Sequence, residues 1–569
     1  MTEIAQYGVF ERRFTAQAEK PFTQSFRAVF TGPDGKKTKV RGFYDGEDQY
    51  VLRFMPEKPG EYRFRTESSC PALHGQSGTF RCLPSGRHGR VVPSGLYLEH
   101  ADGTRHFSAG TTCYAWIYQP EHVREETLRE LANGWFNKLR MCVFPKRYLY
   151  NEEEPELYPF EGTPGHFDYD RPNVKLFQRL DAMVERLGAM GIQADIILFH
   201  PYDDERWGFS DMSAEQDRRY IRYVTARLAA YENVWWSAAN EYDLFRKGYK
   251  AKTKSWDGIL RCIRESDPFG HMLGIHQCFR VYDHRHSAVT HCSLQRTGMY
   301  VSTETTGRFQ EKYKKPVVWD EINYEGDIKP TFGSCTPQEL TRHFWEAAIR
   351  GASAGHGETY DSPDRILWWS KGGTLRGESP QRIRFLREIM QDYGCPRFSC
   401  CQNEEQLPAG QEEDKVLAWY FGNTQSRKQD LVLPQRNGYR LEVIDTWNMT
   451  RCVLDGLHRG VTEVELGQKP YMAVFARKEE AEPLPERFDA DCLLREMRSY
   501  KGGKTFYRLM TLAPTVRKNA FVFNESFGHL QTLAPGVVTD RMIEEVCGYI
   551  NDGRLGHLLR LLKKERCRP

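Results

Sequence analysis

Residues 233–241 read NVWWSAANE and residues 316–321 read PVVWDE, and both are apolar runs that end in polar residues. Short apolar runs that alternate with amphipathic helical stretches are typical of parallel strands joined by helices. Eight candidate strands of this kind fall at 106–111, 138–144, 192–199, 233–239, 271–276, 290–295, 316–320 and 351–357. Eight strands spread over roughly 300 residues predict an α/β fold, a (β/α)8 TIM barrel, at residues 93–394.

The segments on both sides of the barrel have different patterns. Residues 1–92 alternate apolar and polar positions between turn signals, which predicts an N-terminal β-sandwich. Strand-like runs return at 395–480, where Asn437-Gly438 reads as a turn, so a C-terminal β-sandwich is expected there. Residues 481–569 place apolar residues at helical spacing and predict a small helical C-terminal segment.

Composition narrows the classes of partner, cofactor and location. The 80 Lys and Arg residues nearly balance the 77 Asp and Glu residues, for a net charge of +3, so a nucleic-acid partner is not expected. No apolar run approaches the length of about 18 residues that predicts a membrane span, and MTEIAQYGVF lacks the pattern of a signal peptide. The 15 cysteines are scattered without paired spacing, which favours reduced thiols and a cytoplasmic location.

No nucleotide-binding motif is present, and the sequence leaves open whether the protein forms a homo-oligomer.

Two glutamates stand where a TIM barrel carries its chemistry, at the C-terminal ends of strands. Asn240-Glu241 directly follow the fourth predicted strand, and Glu321 follows the seventh. Cleavage of a glycosidic bond requires one carboxylic acid to protonate the leaving oxygen and one carboxylate to attack or to activate water. The pattern therefore predicts a glycoside hydrolase that acts on an oligosaccharide or glycoside without a metal or other cofactor.

The Asn-Glu pair on the fourth strand and the glutamate on the seventh resemble the pattern of clan A glycoside hydrolases, which are retaining enzymes on (β/α)8 barrels. The domain order, with YGVFERRF in the first domain and GTTCYAW at the first barrel strand, is also similar to bacterial proteins assigned as glycosidases that carry an N-terminal domain of unknown function. The resemblance implies that Glu241 is the general acid and base and that Glu321 is the nucleophile. It further implies that Asn240 bonds the sugar hydroxyl beside the anomeric carbon and that Arg140 keeps the nucleophile ionised.

Several details are left open by the sequence. Because side chains alternate along a strand, a slip of one residue would bring Asp320 into the site in place of Glu321. Arg140 fits a structural ion pair equally well. Other polar or aromatic residues at strand ends are candidates for sugar binding by hydrogen bonds or ring stacking. They are Trp116, His200, Tyr202, His276, Gln295, Trp319, Glu358 and Trp368, and one member of the Trp368-Trp369 pair is expected in the core.

Two alternatives to a glycosidase fit the same barrel. One is a metal-dependent hydrolase that uses His200, His276, His291 and Asp203, although no HxH or HExxH motif supports it. The other is a carbohydrate-binding barrel without turnover, which would not need two strand-end glutamates. We favour an exo-acting, retaining glycosidase in which Glu241 has a raised pKa and Glu321 is ionised, with a bell-shaped pH profile.

Overall fold

The computed structural model describes residues 1–202, 206–244, 254–296, 302–400, 409–481, 483–512, 522–523 and 525–565. The chain divides into two compact units. One consists of Met1–Thr303, Phe309–Phe344 and Ala352–Gln391, and the other of Glu304–Arg308, Trp345–Gly351 and Asp392–Pro569. No helix within the described ranges is long and apolar enough to cross a membrane.

A parallel eight-stranded sheet forms the centre of the first unit and confirms the predicted TIM barrel. Its strands, β1 to β8 in chain order, are Ala109–Thr112, Lys138–Cys142, Gln193–Ile197, Val234–Ser237, Leu273–Gly274, Cys292–Gln295, Val317–Glu321 and Ser353–His356. Each overlaps the predicted run of the same number. The strands are hydrogen-bonded in the order β5-β4-β3-β2-β1-β8-β7-β6. At the remaining gap, the backbone N–H of Thr290 donates to the carbonyl of Leu273 at 2.9 Å, so the barrel is nearly closed.

Helices connect the barrel strands. They are α1 Glu121–Ala132, α2 Val174–Ala189, α3 Ala214–Leu228, α4 Trp256–Ser266, α5 Thr306–Tyr313, α6 Pro337–Ile349, α7 Trp368–Lys371 and α8 Ser379–Asp392. A capping box fixes the start of α3: Ser213 Oγ accepts from the N–H of Gln216, and Gln216 Oε1 accepts from the N–H of Ser213. Between β2 and α2 the chain adds an antiparallel hairpin of Phe160–Thr163 and His166–Pro172.

A small antiparallel sheet closes the N-terminal end of the barrel. Its strands are Val91–Ser94, Tyr97–His100 and Arg105–His106. Val91 and Leu98 of this sheet pack with Trp235, Met272 and Val318 of the barrel in one buried cluster. Apolar side chains thus fill this end of the barrel, and the opposite end, where the C-termini of the strands meet, is where a barrel of this kind carries its chemistry.

The N-terminal residues form the expected β-sandwich. One sheet has the spatial order Thr2–Ala5, Ser77–Leu83, Gly60–Ser68, Phe26–Thr31 and Lys37–Arg41, and the other has Phe10–Thr15, Gln49–Phe54 and Phe43–Tyr44. Phenylalanines from the two sheets stack in its core, with ring centroids 4.1 Å apart for Phe10 and Phe80 and 4.2 Å apart for Phe30 and Phe54. These contacts hold the sheets face to face.

A buried ion network fixes the sandwich to the barrel helices. Asp181 of α2 lies 2.9 Å from Arg53 of the sandwich and 2.6 Å from Arg227 of α3. Arg227 also lies 2.8 Å from Asp45 of the sandwich. All four side chains are buried, so the loss of one partner would leave an uncompensated charge away from water.

The second unit contains the C-terminal β-domain and the helical segment. Its strands form one sheet in the order Ser399–Cys400, Ala409–Glu412, Val416–Tyr420, Met472–Ala481, Asn437–Asp445 and Thr450–Val453, and a second of Lys428–Val432 and Val461–Glu465. The prediction of a turn at Asn437-Gly438 is wrong. Both residues begin a strand that pairs along its length with Met472–Ala481, and the glycine lies at a bulge in this pairing. The described helices of the last segment are Gly503–Leu512, Phe527–Leu533, Asp540–Asp552 and Gly556–Glu565.

Candidate active site

Glu241 is placed by the loop that follows β4. The backbone N–H of Asn240 donates to the carbonyl of Phe199 after β3, and the N–H of Tyr242 donates to the carbonyl of His276 after β5, both at 2.9 Å. Glu241 itself has a φ of +48°, a left-handed conformation that is uncommon for a residue with a side chain. The two flanking bonds hold this strained residue in place, as is frequent at functional sites.

A bulge in β7 settles which acidic residue accompanies Glu241. Along the pairing of β6 with β7, Leu294 lies opposite Trp319, but Gln295 lies opposite Glu321, so Asp320 is an extra residue. An extra residue interrupts the alternation of side chains. Asp320 lies 2.5 Å from the ammonium group of Lys138, whereas Glu321 joins the cluster around Asn240.

Three side chains converge on one oxygen of Glu321. The Tyr114 hydroxyl after β1 donates a hydrogen bond to Glu321 Oε1, and Arg140 Nη1 of β2 donates to the same oxygen at 3.3 Å. Arg140 Nη1 also donates to Asn240 Oδ1 at 2.9 Å. His276 Nε2 lies 4.0 Å from Glu321 Oε1, and its Nδ1 accepts from the backbone N–H of Glu241 at 3.4 Å. Five sequence-predicted residues from four different strands or the loops after them, Arg140, Asn240, Glu241, His276 and Glu321, therefore lie close together.

The charge of Glu321 differs from the expectation that Arg140 keeps it ionised. Burial raises the pKa of Glu321 to about 8, and the neighbouring Tyr324 hydroxyl lowers it only in part. Two cations, Lys138 and Arg140, face three carboxylates, because Asp195 and Asp320 lie beside them as well. Despite burial, Lys138 and Arg140 lower the pKa of Asp320. Asp195 and Asp320 thus largely neutralise the two cations. Little positive charge remains to offset the burial of an ionised Glu321.

Glu241 lies in a pocket of neutral hydrogen-bond donors. Burial raises its pKa, while the Lys146 ammonium and side-chain hydrogen bonds from Gln295 and Cys278 act in the opposite direction. The loop that carries Cys278 is fixed by Asp243, whose carboxylate accepts three consecutive backbone N–H bonds at 2.7 to 2.8 Å. A carboxyl group with a raised pKa is suited to donate a proton at neutral pH.

Lys146 is a member of this site that the sequence reasoning missed. It follows β2 within FPKRYLY, and its ammonium group lies 3.7 Å from the ring centroid of Tyr114, 4.5 Å from Tyr202, 4.9 Å from Trp369 and 5.2 Å from Tyr148. Burial lowers its pKa to about 8. The sequence feature that could have indicated it is a lysine between Phe144 and Tyr148 in the loop after β2.

Tyr202 and His200 were both predicted to bind sugar; Tyr202 lies in this group of rings, whereas His200 bonds backbone groups. His200 Nε2 bonds the carbonyl of Phe144 at 3.2 Å, and its Nδ1 accepts from the N–H of Tyr202 at 3.1 Å. Burial lowers the pKa of His200 to about 3, so it is neutral. With both ring nitrogens occupied, His200 fixes the loop after β3.

The three tryptophans predicted to stack on sugar lie in the core. Trp116 is fully buried, and Trp319 faces away from Glu321 and meets the ring of Phe309 edge-on at 5.6 Å. Trp368 donates from Nε1 to Thr111 Oγ1 at 2.7 Å. Its neighbour Trp369 is the member of the pair that packs with Tyr114 beside the glutamates.

Glu358 also lies apart from the two glutamates, in a group with Glu325 and His356. One possible ligand atom from each lies within 4.8 Å of the others, and this is the one such group of three found among the residues that the structure describes. The carboxylates already accept backbone N–H bonds at the start of α8, Glu325 at 2.8 and 3.1 Å and Glu358 at 2.7 and 2.8 Å. A helix N-terminus favours anions over cations, so the group is suited to fixing α8 rather than to binding a metal.

The three histidines of the metal alternative, all of which the structure describes, do not assemble into a site. His276 lies beside the two glutamates, whereas His200 is bound to backbone groups. His291 Nδ1 is 3.0 Å from Thr290 Oγ1, and its ring meets Trp235 edge-on. Asp203 lies outside the described residues.

Comparison with known families identifies the barrel. Residues 93–393, more than half of the chain, match the family model described as "Apiosidase-like, catalytic domain". Residues 3–69 and 406–477 match two domains of unknown function, DUF5060 and DUF5605. A search of curated proteins finds no match.

Solved structures agree with this assignment. A protein from Bacteroides vulgatus ATCC 8482, described as a "putative glycoside hydrolase", is 33% identical with a TM-score of 0.78, and the match covers 84% of this chain and 100% of that chain. A glycoside hydrolase family 5 protein from the same strain is 17% identical with a TM-score of 0.52, covers 68% of this chain and 94% of its own, and supports the fold alone. This chain therefore belongs to the family of apiosidase-like catalytic domains among the glycoside hydrolases.

Proposed function

We propose that this protein is a retaining glycosidase in which Glu321 is the nucleophile and Glu241 is the general acid and base. The observation that supports the proposal is that Tyr114 and Arg140 both donate to Glu321 Oε1, at the end of the barrel where Asn240 and Glu241 also lie. Hydrogen-bond donors that fix a carboxylate in one orientation favour attack along a single line. A carboxylate that served only to bind sugar would not need them.

The reaction takes place in two displacements. The Glu321 carboxylate attacks the anomeric carbon, and the bond from that carbon to the leaving oxygen breaks as Glu241 gives its proton to that oxygen. Glu241, now ionised, removes a proton from water, and the resulting hydroxide displaces Glu321 and regenerates its carboxylate. Asn240 binds the hydroxyl beside the anomeric carbon, and this bond strengthens as charge develops.

The family name gives the first substrate to try. Apiosidase-like relatives suggest an apioside, and we propose exo action, with removal of a terminal sugar from an oligosaccharide or glycoside. The proposed location is the cytoplasm, where imported glycosides of this size would be available. A rapid loss of viscosity of a polysaccharide solution would contradict exo action, because internal cleavage shortens chains quickly.

The test is the turnover of a panel of 4-nitrophenyl glycosides, with apiosides first and both anomers of common pyranosides and furanosides after them. Wild type is compared with the Glu321→Gln and Glu241→Gln variants. We expect one glycoside to be cleaved and both variants to fall by about 10³-fold or more in kcat, since removal of an acting group costs several kcal/mol. Glu358→Gln is the matched control, because it changes a buried glutamate of the same barrel that lies apart from the pair.

Each alternative has its own signature in the same experiment. Activity that is lost in EDTA and restored by zinc would favour the metal-dependent hydrolase. Sugar binding without turnover at high protein concentration would favour a carbohydrate-binding barrel. Unchanged turnover in Glu321→Gln would contradict the proposed mechanism directly.

A further inference from the structure

Lys146 is enclosed by aromatic rings beside both glutamates. Four ring centroids lie 3.7 to 5.2 Å from its ammonium group, and its side chain is only 4% exposed. The closest ring is that of Tyr114, whose hydroxyl donates to Glu321. The ammonium also interacts electrostatically with Glu241. Lys146 therefore lies at the place where the proposed reaction occurs.

Lys146 differs from two other enclosed lysines, Lys138 and Lys254, in having no oxygen partner among the described residues. Lys138 lies 2.8 Å from Asp195 and 2.5 Å from Asp320. Lys254 packs on a ring at 5.0 Å, but it also lies 2.8 Å from Asp217. Within the part of the chain that the structure describes, no carboxylate or carbonyl oxygen lies within hydrogen-bonding distance of Lys146 Nζ.

A buried ammonium group without an oxygen partner is costly. An ammonium has three N–H donors, and ring faces attract its charge without accepting those hydrogens in the way that oxygen does. Lys146 acts on Glu241 through its charge, whereas the hydrogen bonds to the Glu241 carboxyl come from Gln295 and Cys278. The three donors are thus available to a molecule that enters the site.

We propose that Lys146 is a substrate-binding residue that donates hydrogen bonds to the hydroxyl oxygens of the sugar unit attacked by Glu321. The inference deepens the proposed function and rests on it. The attacked sugar is the relevant unit because Lys146 and Glu321 are joined through one side chain, Tyr114. Trp369, 4.9 Å from the ammonium, supplies a ring face for the same sugar.

The test separates sugar binding from a structural role. Lys146→Met, Lys146→Arg and the control Lys254→Met are compared with wild type in three measurements: KM for the cleaved 4-nitrophenyl glycoside, KM for the matching glycosyl fluoride, and calorimetric affinity for the free sugar, with apiose first. The fluoride and the free sugar have no aglycone. Thermal denaturation establishes that each variant is folded.

Lys146→Met should raise both KM values and weaken the affinity for the free sugar by about 10- to 150-fold, which is the range for the loss of a hydrogen bond to a charged group. The change in kcat should be smaller. Lys146→Arg should recover part of the loss, and Lys254→Met should leave the three values within about twofold. Affinities of folded Lys146→Met within twofold of wild type would overturn the inference. A loss seen with the nitrophenyl glycoside and absent with the fluoride and free sugar would also overturn it, because Lys146 would then contact the leaving group.

Failure of the proposed function is distinguishable from failure of this inference. Free-sugar binding requires no turnover, so it tests Lys146 even when no glycoside is cleaved. Wild-type protein that neither cleaves a glycoside nor binds any of the sugars would overturn both, whereas binding that is lost in Lys146→Met without any turnover in wild type would overturn the glycosidase alone.

Discussion

Replacement of the nucleophile should make the protein more stable as well as inactive. Burial raises the pKa of Glu321 to about 8 from an ordinary value of 4.5. Between these two values the unfolded chain releases the proton and the folded protein keeps it. The raised pKa therefore does not change the free energy of unfolding below about pH 4.5. As the pH rises from there to about 8, it lowers the free energy of unfolding progressively, and above pH 8 the loss is constant. Glu321→Gln removes the charge and with it this loss.

The size of the effect follows from the two pKa values. Each pH unit between them corresponds to about 1.4 kcal/mol, so the gain is about 3 kcal/mol at pH 7 and less than about 1 kcal/mol at pH 5. For a barrel of roughly 300 residues, 3 kcal/mol is an increase in melting temperature of about 5 °C. At pH 5 the expected increase is about 1 °C.

Differential scanning calorimetry of wild type and Glu321→Gln at pH 5, 7 and 8 measures this difference. Glu325→Gln is the control, with an expected change in melting temperature of the opposite sign. The two carboxylate oxygens of Glu325 accept hydrogen bonds from Tyr360, from Ser379 Oγ and from two backbone N–H groups. An amide has only one oxygen, so it cannot accept all of these bonds. Its melting temperature should fall. A Glu321→Gln protein that is less stable than wild type at pH 7 would refute the reasoning, since it would mean that the ion pair with Arg140 outweighs burial.

Three further predictions use the same geometry. Below pH 8, kcat/KM should fall about tenfold per pH unit because Glu321 must be ionised to attack, and an acid limb near pH 4.5 in a pH-rate profile would contradict its raised pKa. Tyr114→Phe removes a donor to Glu321 and should lower kcat/KM by about 10- to 100-fold in steady-state assays. Asp181→Ala removes the carboxylate that two buried arginines, Arg53 and Arg227, share, and should lower the stability of the first unit by about 1.5 to 3 kcal/mol in thermal denaturation, with kcat of the folded enzyme unchanged.

The number and order of the barrel strands were predictable because each strand leaves a local apolar run. The helix starts were readable for the same reason, since capping uses residues three positions apart, as at Ser213. The turn at Asn437-Gly438 failed because strand pairing with a distant segment outweighed the local preference of the dipeptide. Patterns within one segment of sequence thus predicted the strands and the helix starts. They did not predict structure that depends on pairing with a strand far away in the sequence.

The site shows the same limit. Asn240 and Glu241 could be placed from the end of a strand alone. Whether Asp320 or Glu321 enters the site depends on a bulge between β6 and β7, and a bulge is a property of pairing. The charge of Glu321 depends on Lys138, Asp195 and Arg140, which come from two other strands.

The tryptophans show why residue type alone was insufficient. Trp368 and Trp369 are adjacent, yet one bonds Thr111 in the core and the other packs with Tyr114 beside the glutamates. A one-residue difference along a short helix turns a side chain by about 100°, so only the orientation of α7 decides between them. Lys146 was missed because the rings of Tyr114, Tyr202 and Trp369 reach it from other loops, which the sequence does not bring together.

The most direct test of the central claim is to trap the glycosyl-enzyme intermediate. Wild-type protein is incubated with the 2-deoxy-2-fluoro analogue of the cleaved glycoside, which slows release of the sugar, and the labelled peptide is sequenced by mass spectrometry. If Glu321 is the nucleophile of a retaining glycosidase, one fluorosugar is attached per chain, and it is attached to Glu321. A label on Asp320, or turnover of the parent glycoside with no label on the protein, would contradict the account.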